Sequence, residues 1–190
     1  LSLSDYMKLV EEVRNTKYPI DIKFGLEICY FNRFESLVHN RTKDLELDFL
    51  VGSTHFIDDF AFDHKPEHWN GINVNNAFKR YYEISTELAK SGLFNGIAHP
   101  DSIKLFGHLP SFSLLPYYDE LAEELAKNNM YAEMNSGCYR RCGCEIGMDD
   151  DMIKAMKAHG VEIITASDAH RPEDVGADII MMEKMLGKSP

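Results

Sequence analysis

The sequence predicts an α/β fold in which short parallel strands alternate with helices. Two observations carry that prediction: short apolar runs recur five times along the chain, and helical stretches separate most of them. A third observation is that polar residues of metal-ligand type tend to follow these runs. Strand–helix alternation favours a parallel sheet with helices outside, and right-handed crossovers then put every strand's C-terminal end on one rim. Five such units make either an open sheet or part of a barrel, since a closed β/α barrel usually needs about 250 residues.

The elements follow in order. A helix is expected near Asp5 to Val13. The first strand is read from Ile20 to Leu26, ending in Glu27. The second runs from Leu47 to Val51 and leads into Gly52-Ser53-Thr54-His55. Phe78, Tyr81, Tyr82, Ser85, Leu88 and Ala89 share one face at helical spacing, and Gly92 sits where a stop belongs. The third strand, Phe94 to Ala98, leads into His99-Pro100-Asp101. Leu114, Leu115, Tyr118, Leu121, Ala122 and Leu125 form another helical face. The fourth strand, Met130 to Met134, is followed by Asn135-Ser136-Gly137. Asp149, Asp150 and Asp151 open a helix at the end where negative charge suits the dipole, and Gly160 closes it. The fifth strand, Val161 to Ala166, leads into Ser167-Asp168-Ala169-His170, and a last helix spans Pro172 to Leu186. His64 to Asn76 and Ile103 to Ser113 read as the longest loops. There is no linker, tandem repeat or low-complexity segment, so residues 1–190 read as a single domain.

Composition narrows the function. With 20 Lys and Arg against 31 Asp and Glu, the net charge of -11 disfavours a nucleic-acid backbone as the main partner. No uncharged apolar run is long enough to span a bilayer, and no signal-peptide pattern opens the chain. Four Cys in 190 residues are too few to staple a fold, which points to a reducing, cytoplasmic compartment. The chain opens Leu1-Ser2-Leu3-Ser4 without an initiator Met, which leaves room for a longer protein.

The informative feature is where the carboxylates and imidazoles fall. Glu27, His55, His99, Asp168 and His170 all sit at or just past a predicted strand end. These are ligand types for zinc, manganese and iron. A carboxylate bridges two cations with its two oxygens, and a neutral imidazole offers one nitrogen while the other fixes its tautomer. The competing reading is that each His only caps a strand and satisfies loop backbone. Arg140 and Arg141, after the fourth strand, either grip a phosphate bidentately or form a solvated pair. Lys104 is a weaker phosphate candidate. Asp101 reads as orienting His99, and Asn135 as a substrate contact or a loop cap.

The remaining candidates carry less. Cys138, Cys142 and Cys144 form a C-x3-C-x-C cluster that fits no common zinc knuckle, and Cys29 reads as buried. His39, His64, His68, His108 and His159 are not read as ligands. His159 ends a helix, where an imidazole suits the dipole. His64, His68 and Trp69 sit in a loop that either covers the site and stacks on an imidazole-bearing substrate or packs its own aromatic for order. Met181, Met182 and Met185 read as core filler on the last helix.

Five stretches taken together carry a resemblance: Gly25-Leu26-Glu27, Asp48 to Phe56 with its Gly52-Ser53-Thr54-His55, Ile97 to Asp101, Glu133 to Gly137, and Ser167 to His170. In order and interval they resemble the polymerase and histidinol phosphatase (PHP) superfamily. Asp58 to His64 and the Tyr81-Tyr82-Glu83 helix are similar to its histidinol-phosphate phosphatase branch. The resemblance implies a distorted, TIM-like (β/α)7 barrel with a trinuclear metal site on its C-terminal rim. About five of those units are present, and the two that carry an His-x-His motif are missing. It further implies that Glu27 bridges the first and second metals, His55 and His99 bind the second, Asp168 the first and His170 the third. On that basis one well-held cation at most, and little turnover, is expected without a segment that supplies the rest.

The function so implied is hydrolysis of L-histidinol phosphate in histidine biosynthesis, with divalent zinc, manganese or iron as cofactor and a small phosphate ester as substrate. Phosphate monoesters hydrolyse extremely slowly unaided, and clustered cations supply a nucleophile at neutral pH and neutralise phosphoryl oxygens. Asp168 is the candidate proton donor to the leaving alkoxide and Arg140 the candidate phosphate clamp. The alternatives are a phosphoesterase acting on another small ester such as a nucleotide, and a non-catalytic metal-binding remnant or interaction domain. Open strand edges and apolar helix faces would also favour self-association.

Overall fold

A computed structural model describes residues 2–188. Helix α1 (Leu3–Arg14) is capped by Ser2, whose hydroxyl accepts the Asp5 N–H, and it buries Val10. Strand β1 (Gly25–Cys29) starts five residues later than the sequence suggests, so Glu27 lies in mid-strand and not at its end. The cause is the ladder. β1 pairs in parallel with β2 (Phe49–Ser53), with Gly25 opposite Phe49, and residues before Gly25 have no partner strand. Asp48 finishes the edge by accepting the Phe24 N–H at 2.7 Å, while Ile20 is left 70% exposed.

Helix α2 (Glu35–Thr42) has no buried residue, which is why no apolar periodicity announces it. After β2 the chain makes a small antiparallel hairpin, β3 (Phe56–Ile57) with β4 (Phe60–Ala61), that the sequence reading did not foresee. Helix α3 (Val74–Lys90) is capped by the Asn73 side chain and buries the foreseen face. Strand β5 (Gly96–Ile97), helix α4 (Leu115–Lys127), strand β6 (Tyr131–Asn135), a short helix α5 (Gly137–Cys142), helix α6 (Asp150–Ala158) and strand β7 (Ile163–Ala166) follow. Asp149 caps α6 by accepting the Met152 N–H. The last helix, α7, covers only Ile179–Met185, because Gly176 and Asp178 take positive φ and break the expected longer helix. Of its methionines, Met182 is fully buried, whereas Met181 and Met185 are over 40% exposed and are not core filler.

The five strands β1-β2-β5-β6-β7 form one wholly parallel sheet, and the barrel is not closed. Paired residues in a parallel register share a face. Leu50, Gly52, Ile97, Ala132, Met134 and Ile163 therefore face the helices, in a core with Phe78, Tyr82, Leu88, Leu121 and Leu125. Each fully buried side chain of this size contributes roughly 1.5–3 kcal/mol. Gly25, Glu27, Cys29, Val51, Gly96, Tyr131 and Glu133 lie on the opposite face of the sheet. Space there is tight: a Cβ at Gly25 would meet the Phe49 ring at 2.3 Å, and one at Gly96 the Tyr131 ring at 2.2 Å. Among the described residues, no helix is long and apolar enough to cross a membrane.

Gly52 gives the sharpest test of the helix layer. A Cβ there would stand 2.9 Å from both Leu88 methyls and from Phe94, side chains that are 0% and 6% exposed. Gly52→Ala is expected to destabilise the protein by about 1–3 kcal/mol. A urea titration with an unchanged midpoint would show that this layer yields without strain.

Candidate metal centre

The sheet's C-terminal rim holds a cavity of about 810 Å³. Glu27 enters it from β1, His55 from the turn after β2 and His99 from the turn after β5. Glu27 and Val51 are register partners, Val51 pairs with Gly96, and His55 and His99 each lie two residues beyond their strands. Parallel pairing thus carries three chemistry-bearing residues to one level. His99 has φ +30, a left-handed conformation that non-glycine residues rarely adopt, which costs backbone energy at the site. The buried Tyr81 hydroxyl steadies this turn through Ser102 Oγ at 3.1 Å and the His99 carbonyl at 3.4 Å.

Both imidazoles direct Nε2 at the same atom. His55 Nε2 lies 3.0 Å and His99 Nε2 3.3 Å from Glu27 Oε1, with the rings 5.0 Å apart. Among the described residues, Glu27, His55 and His99 are the one set of three whose ligand atoms all fall within 4.8 Å of one another. Three lone-pair atoms meeting this closely repel unless a proton or cation lies between them. Without a cation the site draws in protons. Burial pulls the His55 pKa down, but hydrogen bonds and charge from Asp63 and Glu27 more than offset this and lift it to about 9. Burial also opposes the charged form of His99, and Glu27 reverses it upward. Burial would raise Glu27, yet its bonds to the two imidazoles hold it well below the usual carboxylate range.

The donor set fits a divalent cation. One carboxylate oxygen and two imidazole Nε2 atoms are a recurrent ligand set for such ions. The other nitrogen of His55 meets Asp63, with Nδ1 2.7 Å from Oδ2, which leaves the Nε2 lone pair for a cation. Nδ1 of His99 is buried without a partner, so Asp101 does not orient it as the sequence suggested. Asp63 is the functional residue that sequence reasoning missed. A readable signal existed: two apolar pairs around Asp58-Asp59 spell a hairpin, and a hairpin returns residue 63 toward residue 55.

Asp168 and His170 line the same cavity but stand outside the three-residue cluster. Asp168 takes φ +51, and its carboxylate lies where a Cβ on Gly137 would collide, at 2.3 Å. The His170 side chain is 83% exposed, and its Nδ1 sits 3.0 Å from the Asp168 carbonyl. Arg140 lines the cavity too, but its guanidinium is already engaged. It donates to Ser136 Oγ and to the Ser167 and Asp168 carbonyls, and it lies 3.8 Å from Asp174 and 3.6 Å from Asp178. Three of its bonds brace the loop that carries Asp168 and the start of α5. Arg141, exposed near the end of α5, donates to the Asp63 carbonyl at 2.8 Å.

Other expectations resolve simply. Lys104 pairs with Asp149 at 2.5 Å, beside the Tyr118 hydroxyl, so its charge is spent on packing. Asn135 accepts the Gly137 N–H at 2.7 Å, which is the loop-cap reading. Cys29 is half-buried and lines the cavity, where burial was expected. Trp69 is buried, bonds the Phe62 carbonyl and stacks on His108 at 4.2 Å, so that loop packs its own aromatic. His159 pairs with Asp119 at 2.7 Å. His64 does reach the cavity wall, edge-on to Phe56.

Known proteins are similar to this chain in sequence or in fold. The chain is 28% identical over 163 residues to a Deinococcus radiodurans protein named "Probable histidinol-phosphatase", covering 83% of the chain and 60% of that relative. It is 26% identical over 198 residues to a Schizosaccharomyces pombe protein of the same name, covering 94% of the chain and 64% of that relative. The chain thus spans less than two thirds of the length of these curated relatives. Its fold matches the crystal structure of histidinol phosphate phosphatase from Lactococcus lactis subsp. lactis Il1403, complexed with zinc, L-histidinol and phosphate. That match has a TM-score of 0.74 at 18% identity and covers all of this chain and 76% of the other. The sequence model of the PHP domain matches residues 1–137, which is most of the chain, and this protein belongs to the PHP domain family.

Proposed function

We propose that this chain is the metal-binding part of a phosphomonoesterase that hydrolyses L-histidinol phosphate to L-histidinol and phosphate. The observation that carries the reading is the meeting of Glu27, His55 and His99 at one atom on a cavity rim. The names of the two curated relatives and the ligands of the solved structure support the choice of substrate.

The roles follow from position. Glu27, His55 and His99 would hold a divalent cation, zinc being the one present in the solved relative. Divalent cations supply a Lewis acid for the phosphoryl oxygens and lower the pKa of water. Asp168, on the same cavity, would help hold a neighbouring cation, and a water held at its carboxylate would give a proton to the leaving alkoxide. His170 would complete the ligand set from the exposed rim. Arg140 would act by keeping the Asp168 loop in place through its two carbonyl bonds. The net charge of -11 does not bar a phosphate dianion, because bound cations dominate the local field.

Turnover decides between this reading and the others. The zinc- or manganese-loaded protein, fused to the part of a curated relative that this chain does not cover, is expected to release phosphate from L-histidinol phosphate and not from a nucleotide panel. A folded, metal-loaded fusion inert on every ester would remove the phosphatase reading, and nucleotide turnover would redirect it. His99→Ala is expected to abolish zinc uptake at this cluster and turnover with it; unchanged zinc content by elemental analysis would remove His99 from the ligand set.

The raised His55 pKa also sets a pH dependence. In chelated protein its stabilising contribution is full below the ordinary imidazole pKa of about 6.5 and is lost as pH rises through about 9. A cation must displace that proton, so zinc affinity should rise over the same window. Thermal melts in chelator at pH 6.5 and 9.5, with zinc competition titrations, check both trends, and flat profiles would contradict the charge assignment.

A further inference from the structure

Asp63 is a buried carboxylate at 8% exposure, and burying a carboxylate is costly unless it is well paired. Its Oδ2 has one close polar contact, His55 Nδ1 at 2.7 Å. Its Oδ1 is buried without a hydrogen-bond partner, with His64 Nε2 no nearer than 3.8 Å. For packing alone an apolar side chain would serve this position better. The surrounding chain is nevertheless arranged to keep the carboxylate there. The β3–β4 hairpin turns through Asp58 at φ +54, Arg80 holds the Asp58 carboxylate at 3.3 Å, and Arg141 from α5 grips the Asp63 carbonyl at 2.8 Å.

His55 needs such a partner more than His99 does. The His55 side chain is 30% exposed and depends on polar contacts to fix its ring, whereas His99 is 7% exposed and confined by packing. Two carboxylates also compete for the single proton of the neutral His55 ring, Asp63 at Nδ1 and Glu27 at Nε2, at 2.7 and 3.0 Å. If Glu27 wins, Nε2 carries the proton and offers no lone pair to a cation. We infer that Asp63 is a positioning residue that holds His55 as the Nδ1–H tautomer with Nε2 aimed at Glu27, and that the hairpin and Arg141 exist in part to hold Asp63. The inference rests on the metal reading proposed above and deepens it.

The test compares the wild type with Asp63→Ala and Asp63→Asn. Zinc affinity is read by chelator competition, and the ring nitrogen shifts of His55 by 15N NMR on chelated protein above pH 9.5. Asp63→Ala is expected to weaken zinc about 10–100-fold and to move the ring toward the Nε2–H tautomer. Asp63→Asn keeps an oxygen that accepts from Nδ1 but loses the charge, and should fall between the two. Wild-type affinity and an unmoved tautomer in folded Asp63→Ala would overturn the inference. If that variant does not fold, the same pair of results in Asp63→Asn overturns it. A wild-type chain that takes up no zinc would defeat the metal reading itself. The ring signature is recorded without metal, so it still decides the role of Asp63 in that case.

Discussion

Two imidazole nitrogens meeting at one carboxylate oxygen is the constraint on which the site depends. Glu27 Oε1 is that oxygen, with His55 and His99 at 3.0 and 3.3 Å. Such a meeting is unfavourable in isolation, and the fold must hold it against repulsion until positive charge arrives. The ladder does most of this holding. Glu27 sits on a strand paired with β2, β2 is paired with β5, and the two histidines follow directly from those strands. A slip of one residue in either ladder would turn a ligand to the opposite face of the sheet.

The helix layer makes such a slip unfavourable. Gly52 admits Leu88 and Phe94 against the sheet only where no Cβ intervenes, which fixes β2 against α3. Tyr81, from the same helix, reaches past the core to the turn that carries His99. Asp149 caps α6 and also receives Lys104 and Tyr118, so the loop after β5 is tied to two helices at once. The ligands are therefore placed by strands and steadied by polar contacts that begin in the hydrophobic layer.

Much of this was legible from residue patterns, and the exceptions have physical causes. α3, α4 and α6 were readable because each buries an apolar stripe, and α2 was not because it buries nothing. β1 was placed too early because Ile20 looks like a strand residue, but its backbone has no neighbour to pair with. His55 and His99 stood out because imidazoles directly after apolar runs are uncommon. Asp63 did not, because it is one acid among several in a loop and only a hairpin brings it near His55. Arg140 drew notice for its charge, yet charge alone does not reveal that one of its amino groups bonds two carbonyls of the Asp168 loop.

Gly137 has a consequence for how such a site can vary. Its missing Cβ is the space that the Asp168 carboxylate occupies, although 31 positions separate them in the chain. The opening of α5 and the loop after β7 are in this sense one unit of inheritance. A lineage that gains a side chain at the first position must re-route the acid at the second, so the two should drift together or not at all.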